Sequence, residues 1–340
     1  MVNNRVFKDF MNYLNSKEKK SAILKKNVLI VISIVILIVL LFYFLLKKRT
    51  YIPLKIIKDR YSSIEMHNGM LRDSHRMDTY ESVLTKNSSL IKGKTVLDVG
   101  CGTGVLGAFA KKGGASKVVG VDMNDVPKYP GTDDIEFILG KPIQESTLPK
   151  EKFDVVVSEW MGMFLYEELS IDMFLYARDH YLKPGGALLP DMGTIYVSGF
   201  KGDKYGKPGC YVIDYVEPSD IITPDYPIHH VDFTTVSLKE TFIVNSDIEL
   251  KGDEFIDGIV IWFDTAFTER FCKETPAILN TKRPTSWFHG VIRFEYPKKQ
   301  TDIKNIKLKR GKEKYTVWVN DTIFPDHGLN LDWVERTKHL

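Results

Sequence analysis

The sequence predicts an α/β protein in three parts: one transmembrane helix, a doubly wound parallel-sheet domain, and a C-terminal β-barrel. Three observations predict it. Nineteen consecutive residues near the N-terminus carry no charge, short β-branched runs alternate with helical stretches from Lys94 onward, and beyond Pro190 short alternating strands take over. The 340 residues suffice for an anchor and two domains, since single cores usually stop growing near roughly 250–300 residues. A hydrophobic content of 44% and a charged content of 27% exclude a disordered or fibrous chain.

Residues 1–27 form a short basic tail, and residues 28–46 read VLIVISIVILIVLLFYFLL, with Ser33 the only small polar residue. At about 1.5 Å per residue a helix of this length spans about 28 Å, close to the roughly 30 Å hydrocarbon core. A buried core helix would show a polar face and this run shows none. A cleaved signal peptide would be shorter and end in small residues. Lys25 and Lys26 precede the run and Lys47, Lys48 and Arg49 follow it, so the positive-inside rule is tied.

Residues 50–93 are a helical lead-in. The strands TVLDVG, SKVVGVDM, IEFILG and FDVVVSEW follow, with GVLGAFAKKG and DMFLYARDHYL between and after them as helices. Short apolar strands alternating with helices indicate βαβ units and a parallel sheet. These elements fill residues 50–190. From 191 to 340, runs such as TIYVSGF, TVSLKETFIV, GIVIWFDTAF, GVIRFEY and KYTVWVN, separated by turn residues, indicate a β-barrel or sandwich, of which the barrel is expected.

Charge and cysteines narrow the partners. Residues 1–60 hold 13 Lys and Arg against 3 Asp and Glu, leaving 34 against 41 in the remainder. An acidic body argues against nucleic acid, whose phosphates bind through basic groups, and favours a cationic substrate. Cys101, Cys210 and Cys272 are odd in number and far apart, which indicates neither a disulfide framework nor a zinc site. No metal is expected.

The glycines of VLDVGCGTG, residues 96–104, let backbone approach a ligand closely, because no Cβ intrudes and positive φ is permitted. Their GxGxG spacing after Asp98 resembles the methyltransferase motif rather than the dinucleotide GxGxxG fingerprint. The resemblance implies a Rossmann-like domain binding S-adenosyl-L-methionine, with Gly100 and Gly102 against the cofactor and Asp98 near its cationic amino end. One strand later, VVGVD ends in Asp122, where a carboxylate accepts both hydroxyls of a ribose.

SEWMGMFLYEELS, residues 158–170, places Glu159 and Glu168 nine residues apart after the fourth strand. It closely resembles the double-glutamate loop of protein arginine N-methyltransferases. Two carboxylates can each accept a pair of N–H donors from a planar guanidinium. They concentrate its positive charge away from the attacking nitrogen and offer a site for the departing proton. The resemblance extends over about residues 57–340 and covers MLRDSHRMDTY, residues 70–80, and LYARDHYLKPGGALLPD, residues 175–191. It implies that Arg76 binds the cofactor carboxylate, that His67 also lies at the cofactor, and that Tyr61, Met70 and Trp287 line the acceptor side. Arginine-containing proteins are the implied substrates. Because S-adenosylmethionine is cytosolic, the body is expected to face the cytoplasm.

Four departures from the family pattern bear on mechanism. Ile57 stands at the first tyrosine of the YFxxY helix. Ser286 replaces the histidine of the THW loop, giving Thr285-Ser286-Trp287. Pro127 and Pro130 oppose a full helix between Asp122 and Gly140, and the usual adenine-contacting Glu falls near Ile143 or Gln144. Between Ile195 and His230 the chain is roughly twenty residues shorter than typical members, where the dimerisation arm would form. The expected head-to-tail homodimer is therefore doubtful. A membrane-bound scaffold that keeps the fold without activity is the second expectation these departures raise.

Overall fold

Valine-rich runs build the central sheet of the computed structural model, which describes residues 61–149, 151–166, 170–310 and 315–325. These all lie in one compact unit, Ile56–Leu340. The predicted tail, the membrane run at 28–46 and Glu168 lie outside the described residues. Among the described residues no helix is long and apolar enough to cross a membrane.

Strands β1 (Thr95–Val99), β2 (Lys117–Asp122), β3 (Glu136–Leu139), β4 (Phe153–Ser158) and β5 (Leu182–Leu189) pair in parallel, in the order β3-β2-β1-β4-β5. Val96, Leu97, Val118, Val119, Val155 and Val156 are all buried, as expected for strands covered on both faces. The chain winds outward from β1 to β3 and then returns to the other side of β1. That reversal opens a crevice beyond the carboxyl ends of the strands.

Among the described residues, three helices precede the sheet: α1 (Ile64–Arg72), α2 (Ser74–Lys86) and α3 (Ser88–Ile91). Asp73 ends α1 and caps α2, its Oδ1 accepting from Arg76 N at 3.1 Å, as a short acid does at an N-cap. This one-residue corner sets Met70 beside Arg76. Helix α4 (Val105–Lys112) follows β1, and α5 (Ile171–Tyr181) precedes β5. Between β2 and β3 no helix forms, in keeping with Pro127 and Pro130.

Among the described residues ten strands follow: β6 (Met192–Phe200), β7 (Cys210–Asp214), β8 (Tyr226–Asp232), β9 (Ile243–Asp247), β10 (Phe255–Phe267), β11 (Ala277–Asn280), β12 (His289–Lys299), β13 (Asn305–Arg310), β14 (Tyr315–Val319) and β15 (Thr322–Phe324). Among the described residues they do not share one hydrogen-bonded ring, which departs from the barrel expectation. Among the described strands there are two antiparallel sheets, β7-β12-β10-β6-β8 with β11 on β10, and β15-β14-β13-β9. The ladder breaks where TVSLKETFIV was read as continuous strand. Ser237 and Glu240 form a capping box around a 3-10 turn, Leu238–Thr241, and this satisfies the backbone locally. The chain changes sheets there.

The segment between β6 and β8 lies back on its own sheet. Tyr205 packs edge-on to Phe200 with ring centroids 5.3 Å apart, and both join Val216, Val260, Trp262 and Val291 in a buried cluster. Asn87, fully buried, joins the two halves of the molecule. Its Nδ2 donates to Val83 O and Thr275 O at 3.0 Å, and its Oδ1 accepts from Glu274 N and Thr275 N. All of its amide groups are thereby used.

Candidate active site

The turn after β1 forms one wall of the crevice. Gly100 has φ +70° with open space where a Cβ would stand, so its backbone faces the cleft bare. Gly102 has φ +49°, and a Cβ there would lie 3.0 Å from the His67 ring. Any larger residue would be strained and would push that ring away. Asp122, at the tip of β2, grips the turn. Its Oδ2 accepts from Gly102 N at 2.8 Å and its Oδ1 from Asn124 N at 2.7 Å. His67 donates from Nε2 to Tyr61 O at 3.1 Å, since a carbonyl can only accept.

These groups surround a cleft that, with the open solvent it admits, encloses about 930 Å³. Tyr61, His67, Met70, Arg76, Gly100, Gly102, Asp122 and Glu159 all line it. The sequence reading had singled out each of them.

Two of its other residues lie elsewhere. Asp98 is 1% exposed and sits beneath the glycine turn rather than on the wall. Its Oδ2 accepts from Gly107 N at 3.1 Å, in the first turn of α4. Burial pushes its pKa up to about 7, with Gly107 N–H opposing and Asp122 adding to the rise. Trp287 is also buried away from the cleft. Its Nε1 donates to Met161 O at 2.6 Å and its ring meets Phe263 edge-on at 5.7 Å. An indole N–H seeks such an acceptor when buried, which turns the side chain inward.

The opposite wall carries charge. Arg76 binds Glu159 through both Nε (2.8 Å) and Nη2 (2.6 Å), each to Oε2, and its Nη1 donates to Met70 O at 2.8 Å. The two side chains are 8% and 11% exposed. Burial raises the Glu159 pKa above the ordinary glutamate value, with Arg76 opposing. Burial works against the guanidinium charge, but Glu159 outweighs it and keeps Arg76 protonated.

Aromatic packing shapes the loop that follows Glu159. Trp160 stacks on Phe174 and Tyr166 and meets Phe233 edge-on, at 5.7, 6.2 and 5.0 Å. Phe164 and Leu165 hold φ of +53° and +71°, a costly conformation for such residues that surrounding structure must impose. Ser286 N donates to Asp73 Oδ2 at 2.7 Å, so the Thr285-Ser286-Trp287 loop braces the corner between α1 and α2 through backbone.

Sequence reading missed Met123, Asn124, Ser170 and Met173 as lining residues, and Ile143 beyond its register. Met123 and Asn124 directly follow the β2 acid, and that position was the available signal. Among the described residues no group of His, Cys, Asp and Glu could hold a metal ion.

A doubly wound sheet whose glycine turn and strand-end acid share one cleft defines the methyltransferase class of fold, and the family model described as a methyltransferase domain matches residues 96–186. The model described as the arginine methyltransferase oligomerization subdomain matches residues 200–291. The probable protein arginine N-methyltransferase 3 of Oryza sativa subsp. japonica is 37% identical over 295 residues, covering 70% of this chain and 48% of that protein. This chain therefore spans about half the length of that relative. Protein arginine N-methyltransferase 1 of Dictyostelium discoideum is 33% identical over 287 residues, covering 74% of this chain and 80% of that protein. A solved structure, the Trypanosoma brucei PRMT1 enzyme-prozyme heterotetrameric complex with AdoHcy, superposes with a TM-score of 0.65 at 29% identity, covering 76% of this chain and 92% of that one. The chain belongs to the protein arginine N-methyltransferase family.

Proposed function

We propose that this chain is an enzyme that transfers methyl groups from S-adenosyl-L-methionine to arginine nitrogens of protein substrates at a membrane surface. Glu159 carries the reading. It is a buried carboxylate at the tip of β4, on the same cleft as the Gly100–Gly102 turn and Asp122, and it already holds a guanidinium, that of Arg76. A site that accommodates one planar guanidinium offers the geometry for another. The D. discoideum relative carries the same activity in its name, and the T. brucei complex contains AdoHcy.

The residues on the cleft fit the cofactor. Asp122 suits a ribose, the bare Gly100 backbone admits close approach, and Arg76 offers a cation for a carboxylate. When bound, S-adenosylmethionine supplies a methyl group on a sulfonium. Glu159, with Glu168 as the second carboxylate implied by the family loop, orients the acceptor side chain and withdraws its positive charge from the reacting nitrogen. That nitrogen loses a proton as it gains the methyl. A carboxylate whose pKa lies above the ordinary range is a better acceptor for the proton.

The same reading places a methyltransferase domain at 50–190 and a substrate domain at 191–340, tethered by the helix at 28–46 with the body facing the cytoplasm. We read the stretch between Ile195 and His230 as carrying a reduced arm, in which Tyr205 and Val216 are spent in the cluster on their own sheet. Concentrating chains in two dimensions by the membrane helix would then substitute for it. The test is to incubate the full-length chain in detergent with labelled S-adenosylmethionine and an Arg/Gly-rich peptide, with mass spectrometry of the product. Methylarginine is expected. Label on lysine or on small molecules alone overturns the acceptor assignment.

A further inference from the structure

Where the family pattern has a helix after the β2 acid, this chain has Val126-Pro127-Lys128-Tyr129-Pro130. Proline fixes its own φ and drives the residue before it toward extended backbone. Tyr129, which precedes Pro130, is therefore biased toward extended backbone, and Lys128 sits between it and Pro127. The dipeptide lies against the glycine turn. Lys128 Nζ donates to Gly102 O at 3.2 Å, and Tyr129 N donates to Thr103 O at 2.8 Å. Two successive carbonyls of the turn are thus held by two successive residues of the strap.

The turn is tied from its other side as well. Gly102 N is held by Asp122, and Gly100 N and Cys101 N both donate to Val121 O. Lys128 Nζ also lies 4.7 Å from the centroid of the Phe137 ring, whose edge would be 2.7 Å from a Cβ on Gly104. Lys128 does not line the cleft. A charged donor on the Gly102 carbonyl both fixes and polarises the peptide joining Gly102 to Thr103, and both of those residues do line it.

We propose that Lys128, held beside the glycine turn on the strap that Tyr129 ties to Thr103, is a positioning residue that holds the turn in its ligand-ready shape and so sets affinity for the cofactor. This rests on the reading that the cleft takes S-adenosylmethionine.

The experiment uses the full-length chain in detergent, with Lys128→Met, Lys128→Arg and, as a distant control, Lys117→Met. Amide hydrogen exchange of the segment 99–105 is followed without ligand, and S-adenosylmethionine binding is followed by calorimetry. Lys128→Met is expected to exchange several-fold faster and bind about tenfold more weakly, with kcat at saturating cofactor and the melting temperature unchanged. Lys128→Arg, which keeps a cationic donor, restores affinity, and Lys117→Met matches the wild type. Unchanged exchange and affinity in Lys128→Met, or a fall in kcat at constant affinity, overturns the proposal. A wild-type chain that binds the cofactor but labels no arginine sinks only the acceptor assignment. A wild-type chain that binds no cofactor sinks the cofactor reading, which calorimetry of the unmutated protein reports by itself.

Discussion

The two walls of the cleft are built in opposite ways. On the cofactor wall the polar groups are backbone N–H and C=O, fixed by partners behind the surface: Asp122 and Val121 on one side, Lys128 and Tyr129 on the other. On the acceptor wall the groups are full charges, Glu159 and the Arg76 proposed for the cofactor carboxylate, and each satisfies the other. A ligand meeting the first wall finds a formed surface. A guanidinium meeting the second must share or replace a partner already in place, so on the proposed reading the glycine-turn wall acts mainly on affinity and Glu159 mainly on turnover.

The largest effect that tests this contrast is expected from Glu159→Gln. The substitution keeps the shape but removes the charge that holds both Arg76 and the acceptor, and kcat should fall about 10²–10⁴-fold. The buried Arg76 loses its anionic partner, and the stability cost approaches the roughly 3–5 kcal/mol of a broken buried pair. Calorimetric affinity for S-adenosylmethionine should fall only a few-fold, because the glycine turn and Asp122 are untouched and Arg76, though it loses its anionic partner, keeps the charge proposed to meet the cofactor carboxylate. A variant that turns over at the wild-type rate would remove Glu159 from the mechanism, and one that cannot bind cofactor would erase the distinction between the walls.

The cofactor wall rests on Asp98, and here the test is pH. Its folded pKa, pushed up to about 7 against an ordinary 3.8, means that the fold prefers the neutral carboxyl. The contribution is fully present below about 3.8 and is lost progressively as pH rises toward 7, at about 1.4 kcal/mol per unit, with no further loss above that. Between pH 5 and 7, the wild-type stability read by urea denaturation should therefore fall relative to that of Asp98→Asn, whatever slope the other groups give both proteins. Equal slopes in the two proteins would mean that Asp98 titrates normally.

Most of the parallel sheet was legible because valine runs announce strands that are buried on both faces. The exception is β5, whose Lys183-Pro184-Gly185-Gly186 reads as a turn. Its register against β4 is irregular, skipping between Phe153 and Val155. The later sheets were less legible. Strand β8 contains Pro227, His229 and His230, and β15 has three residues, so periodicity had little to act on. At the site, strand-end residues could be placed from the chain alone because a parallel sheet delivers all its carboxyl ends to one crevice. Asp98 and Trp287 could not, since which way a side chain turns depends on partners distant in sequence: Gly107 N for one and Met161 O for the other.

The smallest effect is expected from Trp287→Phe, which asks whether the acceptor wall depends on bracing from the second half of the molecule. Phenylalanine keeps an aromatic face toward Phe263 but cannot donate, and Met161 O loses the partner it has at 2.6 Å. A buried acceptor left without its donor costs about 1–3 kcal/mol, read as a lower denaturation midpoint. Met161 lies two residues past Glu159 on the same loop. The loosened loop should raise KM for the peptide several-fold while the S-adenosylmethionine affinity stays within about twofold, because no bond of the glycine turn passes through Trp287. If cofactor affinity falls in parallel with peptide KM, the two walls are mechanically one body and the division of affinity from turnover fails. If only stability changes, Trp287 joins the two halves without shaping the site.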